Sequence, residues 1–224
     1  MKALLVGTMV WASLASAETL HYSINWQSGL NLGEATLGAS KTASSGPEGN
    51  WDFTLTLDAA VPGFTIRDEY RSTTDGQFCT SLLEKTVTRG SRKSSEKDTF
   101  DQSRKTVERA TSGGGKSQVQ TSGDCAHDAM AFLQFARQEL AQGRLATNQS
   151  VYLGGKYDVQ LTYTGTESIK QEKGIVETDK VRVSVHGAKA DTTFEILFAR
   201  DEVRTPLMAR LPLALGTFTV ELQP

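Results

Sequence analysis

The chain has 224 residues, a formal net charge of −2 and only two cysteines. That length suits one domain or two small ones and can bury a core without metal or multiple disulfides to staple it. The near-neutral charge gives no sign of a nucleic-acid partner, and the cysteine count rules out a disulfide-dense mini-scaffold.

The N-terminus reads MKALLVGTMVWASLASAE. It has a lysine at Lys2, an apolar run from Ala3 to Leu14 and the small-residue pattern Ala15-Ser16-Ala17. This is the pattern of a secretory signal peptide cleaved after Ala17. The apolar run is shorter than the ~20 residues a spanning helix needs. No cysteine follows the cleavage site to carry a lipid, and no later segment is apolar enough to span a bilayer. The expectation is a soluble exported protein, placed in a bacterial periplasm, with residues 18–224 as a single β-rich domain.

Alternating segments follow. Leu20, Tyr22, Ile24 and Trp26 alternate with polar neighbours, as do Trp51, Phe53, Leu55 and Leu57. The same period recurs at Tyr157, Val159, Leu161 and Tyr163, at Val181, Val183 and Val185, at Phe194, Ile196 and Phe198, and at Phe218, Val220 and Leu222. Period two with one polar face predicts half-buried antiparallel strands. Gly154-Gly155, Lys173-Gly174 and Gly187 mark turns between them. Pro206 and Pro212 bracket a short segment, which predicts an edge or irregular strand. The fold class is mainly β: an antiparallel curved sheet forming a half-barrel, a barrel or a sandwich, with one α-helix over about 128–142.

The stretch from Lys85 to Lys116 is poor in apolar residues and holds nine basic residues against four acidic ones. It reads as two or three long hairpin strands with a solvated outer face, whose lysines and arginines discourage edge pairing. A sharper reading is a basic surface for anions such as lipid headgroups, with Arg92 and Lys93 as contacts. Phe100 is its one aromatic residue, which argues against a stacking platform for single-stranded nucleic acid. The run TSGGGKS lacks the spacing of a phosphate loop and reads as a turn.

The segment GDCAHDAMAFLQFARQELAQGR places Cys125, His127 and Asp128 just before the one helical pattern. Ala129, Leu133, Ala136 and Leu140 share a helical face, widened by Phe132 and Phe135. Asp128 is positioned to cap the first turn and Gly143 to end the helix. An isolated cysteine pair in an exported chain predicts a Cys79–Cys125 disulfide that pins the helix start to a strand. His127 is then left over. A zinc site needs about four ligands at motif spacing, and His21 and His186 bear no such relation to it. Asp68 and Glu69 are adjacent, so on a strand they face opposite sides. No metal site, cofactor or catalytic residue is assigned.

Four stretches, LHYSINWQSGLNLGEATL, IRDEYRSTTD, DAMAFLQFARQELAQG and FEILFARDEVRTPLMARL, occur in an order that resembles the exported bacterial family called domain of unknown function 3108. Phe198-Ala199 departs from that pattern, where a Trp or a polar residue is more usual. The resemblance implies an exported β-rich domain and carries no chemistry over, because the family has no established activity.

The leading functional expectation is a binding or carrier module for an apolar or amphiphilic ligand, held between the concave sheet face and the helix. Trp26, Trp51, Tyr157 and Tyr163 are the candidate wall residues. An envelope protein-protein interaction module comes second and an enzyme third. The chain has no nucleophile motif, and its histidines are scattered.

Overall fold

The structure, a computed structural model, describes residues 17–42, 49–61, 64–146, 148–172, 174–188, 190–213 and 216–224. The expected leader up to Ser16, and Lys173 at one expected turn, lie outside these residues.

The first eight strands are β1 (Ala17–Trp26), β2 (Asn31–Thr42), β3 (Asn50–Val61), β4 (Phe64–Thr74), β5 (Thr80–Arg89), β6 (Arg92–Asp101), β7 (Thr106–Thr111) and β8 (Lys116–Gln120). They form an antiparallel meander. The two-residue strand β9 (His127–Asp128) leads into α1 (Ala129–Ala141). The chain returns through β10 (Gln149–Tyr152), β11 (Lys156–Gln171), β12 (Gly174–Gly187), β13 (Ala190–Ala199), β14 (Pro206–Leu213) and β15 (Gly216–Leu222). All fifteen strands belong to one sheet. Its middle is the β1–β15 pair, where Tyr22 lies opposite Leu222, and its edges are β8 and β9. Every pairing is antiparallel except β9 with β10.

The result is an open curved sheet, not a sandwich. Its two arms curl toward each other without a backbone ladder between β8 and β9 among the described residues. They meet through side chains instead. The Tyr152 hydroxyl donates to the Gln120 carbonyl (3.4 Å), and the Ser122 hydroxyl bonds that of Ser150 (2.7 Å). Phe100 meets the Tyr152 ring edge-on at 5.8 Å.

Alternation accounts for the strands: in β3, Phe53 and Ala59 are buried while Thr54 and Asp58 face solvent. The basic stretch forms β5 to β7, and TSGGGKS is the β7–β8 turn. The proline-bracketed segment differs from the expectation of an edge strand. It is β14, paired on both sides. Pro206 is tolerated because it opens the strand opposite a register shift at Leu197/Phe198. Pro212 is tolerated because it lies past the last β13 pair, Glu195–Arg210.

The helix lies inside the curl. Met130 and Ala131 pack with Phe53, Phe78, Leu83 and Phe100 of the first arm. Phe132 and Ala136 pack with Val151, Val159 and Val183 of the second. Its apolar surface is therefore wider than the single face that the spacing predicts, because it is wedged between two arms. Gly143, at φ +73°, ends it: the amides of Gly143 and Arg144 bond the carbonyls of Leu140 and Glu139 (3.0 and 2.9 Å).

Three anchors position it. The Cys79–Cys125 disulfide forms, closing a loop that spans 46 positions. Asp128 is fully buried. One carboxylate oxygen caps the amides of Met130 and Ala131 (2.8 and 3.3 Å), and the other accepts from the hydroxyls of Ser72 and Thr80. Arg137, 2% exposed, makes a bidentate pair with Glu18 (2.7 and 2.9 Å) and donates to the carbonyls of Val203 and Arg204.

Asp128→Ala removes a cap and leaves two buried hydroxyls without their acceptor. We expect a loss of about 3 kcal/mol in urea denaturation. A loss below about 1 kcal/mol, the size of an exposed cap alone, would show that the buried bonds to Ser72 and Thr80 contribute nothing.

Candidate functional site

A cavity of about 500 Å³ lies between α1 and strands β10 to β13. Register builds its wall in rungs. Leu161, Val183 and Phe194 lie side by side across three strands, and Val159, Val185 and Thr192 form the next rung. Phe132, Leu133, Ala129 and Ala136 of the helix face them. Alanines stand beside Phe132 and Leu133 on the helix side, and valines beside Leu161 and Phe194 on the sheet side, and the two surfaces leave space between them. Native cores hold few voids larger than a water molecule, and roughly 300–1,000 Å³ is the usual size of a small-molecule site. Leu153, Tyr157 and Phe198 also line it, and the lining contains no charged side chain. Thr192 and Tyr157 bring the hydroxyls that approach it.

The sequence-derived candidates scatter. Tyr157 lines the cavity. Tyr163 falls outside it, 44% exposed, with its hydroxyl 3.4 Å from Asp179 in an ionic cluster with Arg200 and Arg204. Trp26 packs on Phe218 at 5.2 Å in the core around β1. Trp51 stacks on Phe53 in the first arm, with Lys41 above its ring at 6.0 Å. Arg92 and Lys93 sit exposed at the β5–β6 hairpin tip and do not line the cavity. Much of the basic stretch is neutralised. Arg89 pairs with Asp68, Lys97 with Glu84, Arg104 with Asp101, Lys105 with Asp124 and Arg109 with Glu96.

Sequence reasoning did not assign the cavity to Phe132, Leu133, Ala136, Val183, Phe194 and Phe198. Each carried a signal, as part of an alternating strand or of the helical face. What the sequence withheld was which strands face that helix. Phe198, the departure in the last family-like stretch, is one of these wall residues.

The cluster before the helix is structural in its contacts. His127 is 2% exposed, bonds the Phe78 carbonyl through Nδ1 (2.8 Å) and stacks on Phe135 at 5.1 Å. Burial lowers its pKa, opposed by the Phe78 bond and the Asp128 charge. Among the described residues no group of three or more His, Cys, Asp or Glu is placed to hold a metal. Asp68 is buried against Arg89 while Glu69 is exposed, so the pair does face opposite sides. His21 and His186 are exposed and apart, bonded to Thr36 and Asp191.

A depressed imidazole pKa means that the folded state binds a proton less readily than the unfolded one. This contribution to stability is complete above the ordinary value of 6.5 and is lost as pH falls through the folded value. In a histidine ring NMR titration of the folded protein, the His127 midpoint is expected below 6.5. A midpoint at or above that value would contradict the buried, neutral ring.

In its fold the chain is similar to the β-barrel-like protein of domain of unknown function DUF1849 from Brucella abortus. That crystal structure superposes with a TM-score of 0.64 over 95% of this chain and 97% of that one, at 5% identity. At this identity the likeness is one of fold alone. No curated protein matches the chain in sequence. A family model described as protein of unknown function, DUF3108, matches residues 21–223. Nearly the whole chain is covered, so the protein belongs to the DUF3108 family.

Proposed function

We propose that the protein is an exported binding module, without catalytic activity of its own, that holds an apolar molecule or the acyl part of an amphiphile between α1 and β10–β13. The observation that carries this reading is the apolar cavity itself, of about 500 Å³. Export is supported by the leader-like N-terminus and by the disulfide, a bond that persists in oxidising compartments. No helix among the described residues is long and apolar enough to cross a membrane.

The lining shapes the ligand. A charged group placed against these walls would lose its hydration without a partner, at a cost of several kcal/mol. The bound portion is therefore uncharged, and any polar head stays outside the walls. Arg92 and Lys93 are not given a headgroup role, because they sit on an exposed hairpin tip and contribute nothing to the walls.

Affinity should then follow chain length. Each buried methylene contributes about 0.8 kcal/mol, or roughly fourfold in affinity. A series of straight-chain alcohols displacing a fluorescent acyl probe is expected to show this gain per methylene until the cavity is full, followed by a plateau. Ala136→Phe and Val183→Phe, which fill the cavity from opposite walls, should abolish probe binding while leaving the circular dichroism spectrum intact. Absence of saturable binding at any chain length, or binding unchanged in both filled variants, would dismiss the reading.

A further inference from the structure

We propose that the buried ionic cluster of the first arm is a pH-responsive latch on the cavity wall, in which neutralising Asp98 loosens the β10–β11 turn at Gly154. The link to ligand affinity rests on the binding reading above; the latch itself does not.

The cluster is built by register. Asp98 lies opposite Arg109, Lys85 opposite Glu96, and Tyr70 opposite Lys85. Alternation turns these residues onto the inner face of the arm, although most of them belong to the stretch that reads as solvated. The turn is held at both ends of one peptide unit pair. Arg109 Nη1 donates to the Gly154 carbonyl at 2.7 Å, and the Gly154 amide donates to the Asp98 carboxylate. Arg109 is itself fixed by Glu96 through Nη2. The seat favours glycine. Its φ is +65°, and a Cβ would lie 3.1 Å from Lys85 Nζ and 3.2 Å from Glu96 Oε1.

What the latch holds is the cavity wall. Leu153 and Tyr157 flank the turn and both line the cavity. The Leu153 amide bonds the Gly155 carbonyl at 3.0 Å, and Tyr157 pairs with Val151. Displacing Gly154 displaces both wall residues.

The cluster can take a proton without rearranging. Asp98 is 2% exposed, and its Oδ1, like Glu96 Oε1, is buried without a hydrogen-bond partner. Burial first, and the Glu96 charge second, push the Asp98 carboxyl up to about 6, against the pull of Arg109, Lys85 and the Gly154 amide. The other groups facing the cluster are Asp68, which bonds Arg89, and Tyr70, whose hydroxyl bonds Asp68 and is pushed up to about 12 by burial. With Asp98 ionised, two carboxylates, Glu96 and Asp98, face two cations, Lys85 and Arg109. A proton on Asp98 leaves one carboxylate against two cations. It also reduces the charge-assisted bond to the Gly154 amide to a neutral one, about half as strong.

The sign distinguishes this from acid unfolding. The folded pKa lies above the ordinary 3.8, so the folded state takes up this proton more readily than the unfolded one. The cluster's contribution to global stability thus rises as pH falls from about 6 towards 3.8, while the hold on the turn weakens.

NMR of the ligand-free protein tests the latch. The Gly154 amide shift is expected to titrate with a midpoint near 6. Its protection from exchange, corrected for intrinsic rate, should fall about fivefold on acidification, and both changes should vanish in Asp98→Asn. A Gly154 signal that is flat with pH, or that titrates equally in the Asn variant, overturns the latch. If the Asn variant does not fold, Gly154→Ala takes its place. It should bind the acyl probe more weakly than the wild type at neutral pH, with an affinity that no longer changes with pH, and retained pH dependence there overturns the latch. In the wild type, probe affinity should fall with the same midpoint. A titrating Gly154 with pH-independent probe affinity overturns the coupling to the cavity. A probe that binds at no pH removes the binding reading and leaves the Gly154 titration standing as its own result.

Discussion

The buried carboxylate of Asp128 joins the two arms of the sheet. Its side chain accepts from Ser72 on β4 and Thr80 on β5, in the first arm. Its backbone pairs with Tyr152 on β10, in the second. The same side chain caps α1, so one residue decides both where the arms meet and where the helix starts. Leaving such a carboxylate unpaired would cost more than the net worth of its bonds. Separating the arms would break either its bonds to Ser72 and Thr80 or its pairing with Tyr152. The disulfide acts at the same place, tying Cys125, three residues before Asp128, to Cys79 beside Thr80.

With its start fixed by Asp128 and its far half fixed by Arg137 to Glu18, the helix has no freedom to settle against either arm. Its Met130–Ala131 side is packed into the Phe53, Phe78 and Phe100 cluster. Its other side meets the rungs of β11 and β12 with Ala129 and Ala136 beside Phe132 and Leu133. Polar anchors at both ends thus set a spacing that apolar packing alone would close. The cavity follows from that fixed spacing together with the alanines, and it persists because collapse would break bonds to buried charges.

Much of this frame was legible in the chain itself. The six alternating runs, the cap at Asp128 and the stop at Gly143 follow from local rules, and the disulfide from there being two cysteines to pair. What was hidden is long-range. Nothing local marks Glu18 as the partner of Arg137, 119 positions away. Period two tells that Lys85, Glu96, Asp98 and Arg109 alternate with neighbours on another face. It does not tell what the inner face buries: the solvated outer face expected for that stretch holds Lys93 and Lys97, while Asp98 on the other face is buried. The helix's second buried side, Met130 and Ala131, was missed for a similar reason. An amphipathic face predicts one neighbour, and a wedge has two. Of the proposed wall residues only Tyr157 lines the cavity, because large aromatics mark burial in general and do not tell which strands face the helix.

The first arm buries an ionic cluster beside its apolar core, and this cluster bears on specificity more than on stability. A buried ion-pair cluster contributes little net stability against apolar residues of similar volume, since desolvation offsets much of the Coulombic gain. What such a cluster does supply is a penalty for misalignment. A one-residue slip of β6 against β5 or β7 would turn Glu96 and Asp98 outward and leave Lys85 and Arg109 buried without carboxylates. The cavity wall of the second arm has no charged side chain to impose such a penalty; the ion pairs of Glu167 with Lys180 and Arg210, and of Arg182 with Glu195, lie off that wall. The register of the wall is held from its ends instead, by Gly154 in the ionic cluster at one and by the Arg200 and Arg204 pairs to Asp179 at the other. The wall can therefore remain incompletely packed and still keep one register, which is the condition for an open cavity in an otherwise ordered sheet.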